Sequence, residues 1–114
     1  MTFTEITVTE LSTKLTEPDK QYQFVDVREP EELEVVSLPR FINLPLRSYS
    51  EWSPEIYNRL DKDTETFVLC HHGMRSAQMC QWLIEHGFTQ VSNIIGGIDA
   101  YSHHVDPRDR KSVV

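Results

Sequence analysis

Thr66-Phe67-Val68-Leu69-Cys70-His71-His72-Gly73-Met74-Arg75-Ser76 is the stretch that decides the fold. Its first four residues are apolar and rich in β-formers, as in a strand buried on both faces. A helix is expected from Ser76 to His86, with Gly87 placed to end it in the left-handed conformation. Between strand and helix lie a thiol, two imidazoles, a glycine and an arginine. In open α/β sheets ligands bind beyond the carboxyl ends of the strands. Cys70 stands at such an end.

A thiol in that place gains three kinds of support. Backbone N–H groups of a tight loop can converge on the sulfur. The following helix turns its positive end toward the loop. Arg75 adds a permanent charge. All three favour thiolate, the working nucleophile, over thiol. The same cradle suits a persulfide anion or an oxyanion substrate, and Gly73 lets the backbone approach the sulfur closely.

The rest of the chain extends the pattern outward. Ile6-Thr7-Val8 reads as a short extended segment, with Thr9 capping a helix over Glu10–Leu15 that Pro18-Asp19-Lys20 breaks. Gln23–Val27 reads as a buried strand, and Pro30 suits the first turn of a helix at Glu31–Val35. Phe41–Leu44 is a strand stopped by Pro45, and Ser53-Pro54-Glu55 starts a helix through Ile56, Tyr57 and Leu60. Val91–Ile95 is the last strand, after which Gly96-Gly97 turns into a short helix through Ala100 and Tyr101. Alternating strands and helices predict an α/β fold, a mainly parallel sheet with helices on both faces. A chain of 114 residues suits one domain. That domain is expected over residues 1–104, followed by a charged, flexible tail at 105–114.

Four segments, in order, carry a family resemblance. Cys70-His71-His72-Gly73-Met74-Arg75-Ser76 resembles the active-site loop of rhodanese-like domains. Asp26-Val27-Arg28-Glu29 and Asn43-Leu44-Pro45 are similar to two further signatures of that family, and Gly87-Phe88 with Gly96–Tyr101 is similar to its closing segment. The resemblance implies a three-layer fold around a five-stranded, mostly parallel sheet. It implies transfer of a sulfane sulfur from a donor such as thiosulfate to Cys70, which carries it as a persulfide to a thiol or cyanide-type acceptor. A protein acceptor, or a carrier or regulatory module without turnover, is the alternative. Catalytic duty falls on Cys70 and substrate binding on His71, His72, Gly73, Met74, Arg75 and Ser76, with no cofactor. The stretch Val36–Phe41 departs from the family by lacking its usual Gly-His-Ile, and Tyr101 stands where the family has Trp. The first departure bears on donor choice.

Other readings weigh differently. A phosphatase or arsenate reductase of related fold needs a loop one residue longer than the four residues between Cys70 and Arg75. Zinc on Cys70, His71 and His72 is disfavoured because adjacent ligands close a tetrahedron poorly, so no metal is expected. Arg75 is either a substrate ligand or a helix residue tied to an acid; a cation at a helix N-terminus is unfavourable, which points to the ligand. Cys80 reads as packing on a stripe with Ala77 and Ile84, and a Cys70–Cys80 disulfide does not suit a reducing compartment. Asp26 and Arg28 read as support for the loop, the Glu29, Glu31, Glu32 and Glu34 run as an exposed helix face, and His103 and His104 as solvated.

A net charge of −7 argues against nucleic acid and anionic membranes as partners. The first residues show no basic and apolar leader pattern, and no apolar run approaches the ~20 residues of a membrane span, so the cytoplasm is the expected location.

Overall fold

A computed structural model describes residues 2–17 and 21–105. The break expected at 18–20 and the tail beyond Val105 lie outside the described residues. Five strands form one sheet in the order β1-β5-β4-β2-β3: β1 Thr4–Ile6, β2 Gln23–Asp26, β3 Phe41–Asn43, β4 Thr66–Leu69 and β5 Val91–Ile94. Every pairing is parallel. The most apolar strand, β4, is therefore central, and its fully buried side chains explain its unbroken run of Thr66-Phe67-Val68-Leu69.

Alternate residues of the strands feed two cores. Phe24, Phe67, Leu69 and Ile94 pack with Leu11 of helix α1 (Val8–Leu15) and Ile98 of α6 (Gly97–His104). Val25, Val68 and Val91 pack with Met79, Cys80 and Leu83 of α5 (Met74–Glu85) on the other face. The buried stripe of α5 is Ser76, Met79, Cys80 and Leu83, spaced 3, 4 and 7 residues from its first member. Cys80 is fully buried as expected, but its expected neighbours Ala77 and Ile84 flank that stripe and are only partly covered.

Two boundaries differ from the sequence reading, each for a capping reason. Helix α1 begins at Val8, because the Thr7 hydroxyl accepts from the Glu10 backbone N–H while the Glu10 carboxylate accepts from the Thr7 N–H. That reciprocal box ends β1 at Ile6 and displaces Thr9 from the cap. Helix α5 begins at Met74, with Gly73 at φ +102° as its cap residue, so Arg75 and Ser76 belong to its first turn. Helix α2 spans Pro30–Val35 with Pro30 in its first turn, and Gly87 takes φ +89° after α5. Between β3 and β4 the chain runs through four short helical turns, Leu46–Ser48, α3 Tyr49–Trp52, Ser53–Glu55 and α4 Ile56–Arg59. Trp52 holds them by donating its indole N–H to Pro45 O at 2.7 Å. No helix among the described residues is long and apolar enough to cross a membrane.

Candidate active site

Cys70 leaves the end of β4 with 1% of its surface exposed. The Gly73 N–H donates to its Sγ at 3.0 Å, and the Ser76 hydroxyl lies 3.3 Å from the same sulfur. The loop thus folds back over the sulfur within three residues, a turn that Gly73 permits by its positive φ. A Cβ at Gly73 would also press on Gly96 N at 3.2 Å.

The loop carbonyls are held by a second helix start. Ile98 N donates to Cys70 O at 2.9 Å and Asp99 N to His71 O at 3.1 Å. These are donors that the first turn of α6 would otherwise leave without partners. The contact requires Gly97: with φ +59°, its added Cβ would stand 2.5 Å from His71 O and closer still to Cys70 O. The Gly96-Gly97 pair, read from sequence as a turn and as part of the closing segment, is the docking point of the Cys70 loop.

Arg75 is tied to an acid across the loop. Its Nη1 and Nη2 grip the two carboxylate oxygens of Glu32 at 2.8 and 2.9 Å, a bidentate pair between α5 and α2. The pair holds the Glu32 carboxyl at about 2 and raises the Arg75 guanidinium. Glu32 also accepts from the Glu29 N–H at 2.8 Å, and Glu29 is largely buried, where its carboxylate accepts from Arg47 N at 3.2 Å. Two of the four glutamates expected on an exposed helix face therefore serve structure. They cap α2, and Glu32 ties it to the loop.

His71 and His72 stack with ring centres 4.1 Å apart. His72 is mostly exposed and lies 3.9 Å from the Asp99 carboxylate. His71 is partly covered, and burial first, then the neighbouring His72, push its imidazole down toward the neutral form. Met74 is 77% exposed at the start of α5. His103 is tied back rather than solvated: its Nδ1 lies 2.7 Å from Asp99 O and 3.6 Å from the Asp99 carboxylate.

Asp26 and Arg28 form a buried pair behind the loop, with Arg28 Nη2 on Asp26 Oδ2 at 2.7 Å and on Val36 O at 2.9 Å. Asn43 adds two donations, to Asp26 O and Arg28 O. Together they fix the β2–α2 turn that delivers Glu32 to Arg75. Two residues have roles that the sequence reading does not assign them. Glu32 was marked by its spacing from Glu29, a capping-box interval. Asn93 is marked as an amide in a strand between Val91 and Ile94, and it lies 3% exposed. Both thiols are free; burial and the neighbouring Cys70 push the Cys80 thiol far up, out of the reactive range.

A parallel sheet with a cysteine loop at the end of its central strand defines the class, and the family model for rhodanese-like domains matches residues 7–104. The chain belongs to the rhodanese-like domain family. It is 48% identical over 105 residues to the Rhodanese-like/PpiC domain-containing protein 12, chloroplastic, of Arabidopsis thaliana, covering 90% of this chain and 35% of that protein. It is 34% identical to YtwF of Bacillus subtilis, covering 96% of this chain and all of the relative. It is 30% identical over 79 residues to the thiosulfate sulfurtransferase GlpE of Coxiella burnetii, covering 69% of this chain and 70% of GlpE. Among solved structures, a rhodanese-like domain protein from Staphylococcus aureus superimposes with a TM-score of 0.75 at 31% identity, over 87% of this chain and 91% of the other.

Proposed function

We propose that the chain is a sulfurtransferase that accepts a sulfane sulfur on Cys70 from a donor such as thiosulfate and passes it to a thiol or cyanide-type acceptor, a protein thiol included. The observation that carries this reading is the tight cradle on Cys70: two hydrogen-bonding neighbours on Sγ within 3.3 Å, inside a loop with four residues between Cys70 and Arg75. Membership of the rhodanese-like family and the similarity to GlpE support it.

The chemistry balances in two steps. The Cys70 thiolate attacks the outer sulfur of thiosulfate, an S–S bond forms, and sulfite leaves with the electron pair of the broken S–S bond. The acceptor then attacks the terminal sulfur of the persulfide, and Cys70 leaves as thiolate. Gly73 N–H steadies the sulfur in both states, while the α6 donors hold the loop carbonyls. Arg75, neutralised by Glu32, shapes the loop and leaves its remaining N–H groups for a substrate oxygen. A phosphoryl group would have to enter the cradle itself, whereas thiosulfate needs to present only one protruding sulfur.

Thiosulfate:cyanide turnover beside aryl phosphate hydrolysis tests the reading. Sulfur transfer lost in Cys70→Ser, with no aryl phosphate turnover in the wild type, is expected. Phosphatase activity without sulfur transfer overturns it.

A further inference from the structure

Beneath the sulfur lies a closed ring of polar contacts. Gly73 N–H donates to Cys70 Sγ at 3.0 Å, Ser76 Oγ lies 3.3 Å from Sγ, Ser76 Oγ also bonds Asn93 Oδ1, and Asn93 Nδ2 returns to Gly73 O at 3.1 Å. Asn93 pairs with Val68 in the sheet, so its side chain shares a face with Val68 and with Cys70 two residues on. Cys70, Ser76 and Asn93 are all buried, at 1%, 0% and 3% exposure. No bulk solvent can supply a missing partner there.

The ring has too few protons for every state of the sulfur. The orientation of the Asn93 amide is fixed, because Gly73 O accepts only and must face the NH2 group. Asn93 Oδ1 therefore takes the single Ser76 proton, and the remaining contact to Sγ is filled from the sulfur side by a thiol hydrogen. When Cys70 becomes a thiolate, the sulfur needs the Ser76 proton for itself, and Asn93 Oδ1 is left without it. When Cys70 carries a second sulfur, Sγ is divalent and uncharged, and the Ser76 proton returns to Asn93.

We propose that Asn93 is a positioning residue that competes with Cys70 Sγ for the Ser76 hydroxyl proton, and so favours the protonated and sulfur-loaded states of Cys70 over the free thiolate. The proposal rests on Cys70 being the sulfur-carrying residue, but its test does not need sulfur transfer.

The other titratable groups around the sulfur are His71, His72 and Arg75 on the loop and α5, Glu32 on α2, Asp99 on α6, and the Cys80 thiol behind it. They are the same in every variant compared. The readout is the rate of iodoacetamide alkylation of Cys70 against pH, located by peptide mass, in wild type, Asn93→Asp, Ser76→Ala and the double variant. Asn93→Asp keeps the side-chain size, gives up the donation to Gly73 O, and puts a carboxylate, a stronger acceptor, against the Ser76 hydroxyl. Its alkylation midpoint should rise by at least one pH unit, giving about tenfold slower labelling near neutrality. Ser76→Ala removes the shared proton and should also raise the midpoint. Because both act through one hydroxyl, the double variant should rise by clearly less than the sum of the two. An unchanged or lowered midpoint in Asn93→Asp, or full additivity, overturns the proposal. Asn93→Gln provides the fold control: melting normally with the wild-type midpoint, despite displacing Oδ1, also overturns it. Sulfur loading of Cys70 measured in parallel separates the two claims, since absent loading with the expected midpoint order strikes the sulfurtransferase reading alone.

Discussion

Gly97 gives the sharpest test of how the loop is held, because Gly87 supplies its control. Both have positive φ, +59° and +89°, so alanine at either forfeits about 1–2 kcal/mol of backbone preference. At Gly87 a new Cβ meets nothing within 4 Å, and that cost is the whole effect. At Gly97 the new Cβ stands 2.5 Å from His71 O, which would have to retreat by about 0.9 Å to reach ordinary contact. Such a shift breaks the donations from Ile98 N to Cys70 O and from Asp99 N to His71 O, each worth about 1 kcal/mol. Gly97→Ala should therefore cost about 3–4 kcal/mol, against about 1–2 for Gly87→Ala. A displacement of that size at the nucleophile can slow reaction by about 100-fold. Urea denaturation and the initial rate of sulfur loading from thiosulfate measure the two effects. Refutation would be a Gly97→Ala protein that loads sulfur within twofold of Gly87→Ala, or that loses no more stability.

Cys80→Ser should lower stability by about 1–3 kcal/mol, by placing a hydroxyl in the packed face of α5, and keep sulfur loading; thermal melts beside loading assays check it, and lost loading with normal stability would reverse the assignment of the two thiols. Arg75→Ala should slow loading more than Arg75→Lys, since lysine keeps the charge opposite Glu32 but not the bidentate fork; equal rates in the two would show that the charge without the fork contributes nothing. The Glu32 carboxyl is held at about 2 by Arg75, below its usual 4.5, so the stability it adds is fully present above about pH 4.5 and is lost as pH falls through 2. With both partners about a third exposed, solvent screening leaves about 1 kcal/mol. Glu32→Gln should remove that much at pH 7 and converge with the wild type near pH 2; a constant gap across that range would contradict the pairing.

Much of this architecture was legible because local chemistry and the global fold agree. The run Thr66–Leu69 is apolar without alternation, which only a strand covered on both faces tolerates, and β4 is the central strand. Gly87 closes α5 as its position implied. What misled was competition between near-equal signals. Thr7 and Thr9 can both cap, and the glutamate three residues after Thr7 decided between them. Arg75 reads either as a ligand or as a helix residue tied to an acid, and the acid it holds, Glu32, is 43 residues away in the chain. The acidic run beside Pro30 has the composition of a solvated face; the three-residue spacing of Glu29 and Glu32 marks a capping box, but the Glu32 partner Arg75 is set by three-dimensional proximity. Asn93 left a readable trace, an amide between Val91 and Ile94, but its role depends on Ser76 and Gly73 arriving from another element.

The measurement closest to the central claim is the intact mass of the protein after incubation with thiosulfate, followed by cyanide. A gain of one sulfur atom is expected, located on Cys70 by peptide mapping, lost on adding cyanide and absent from Cys70→Ser but present in Cys80→Ser. A sulfur adduct that survives in Cys70→Ser, or no adduct in the wild type from thiosulfate, would contradict it.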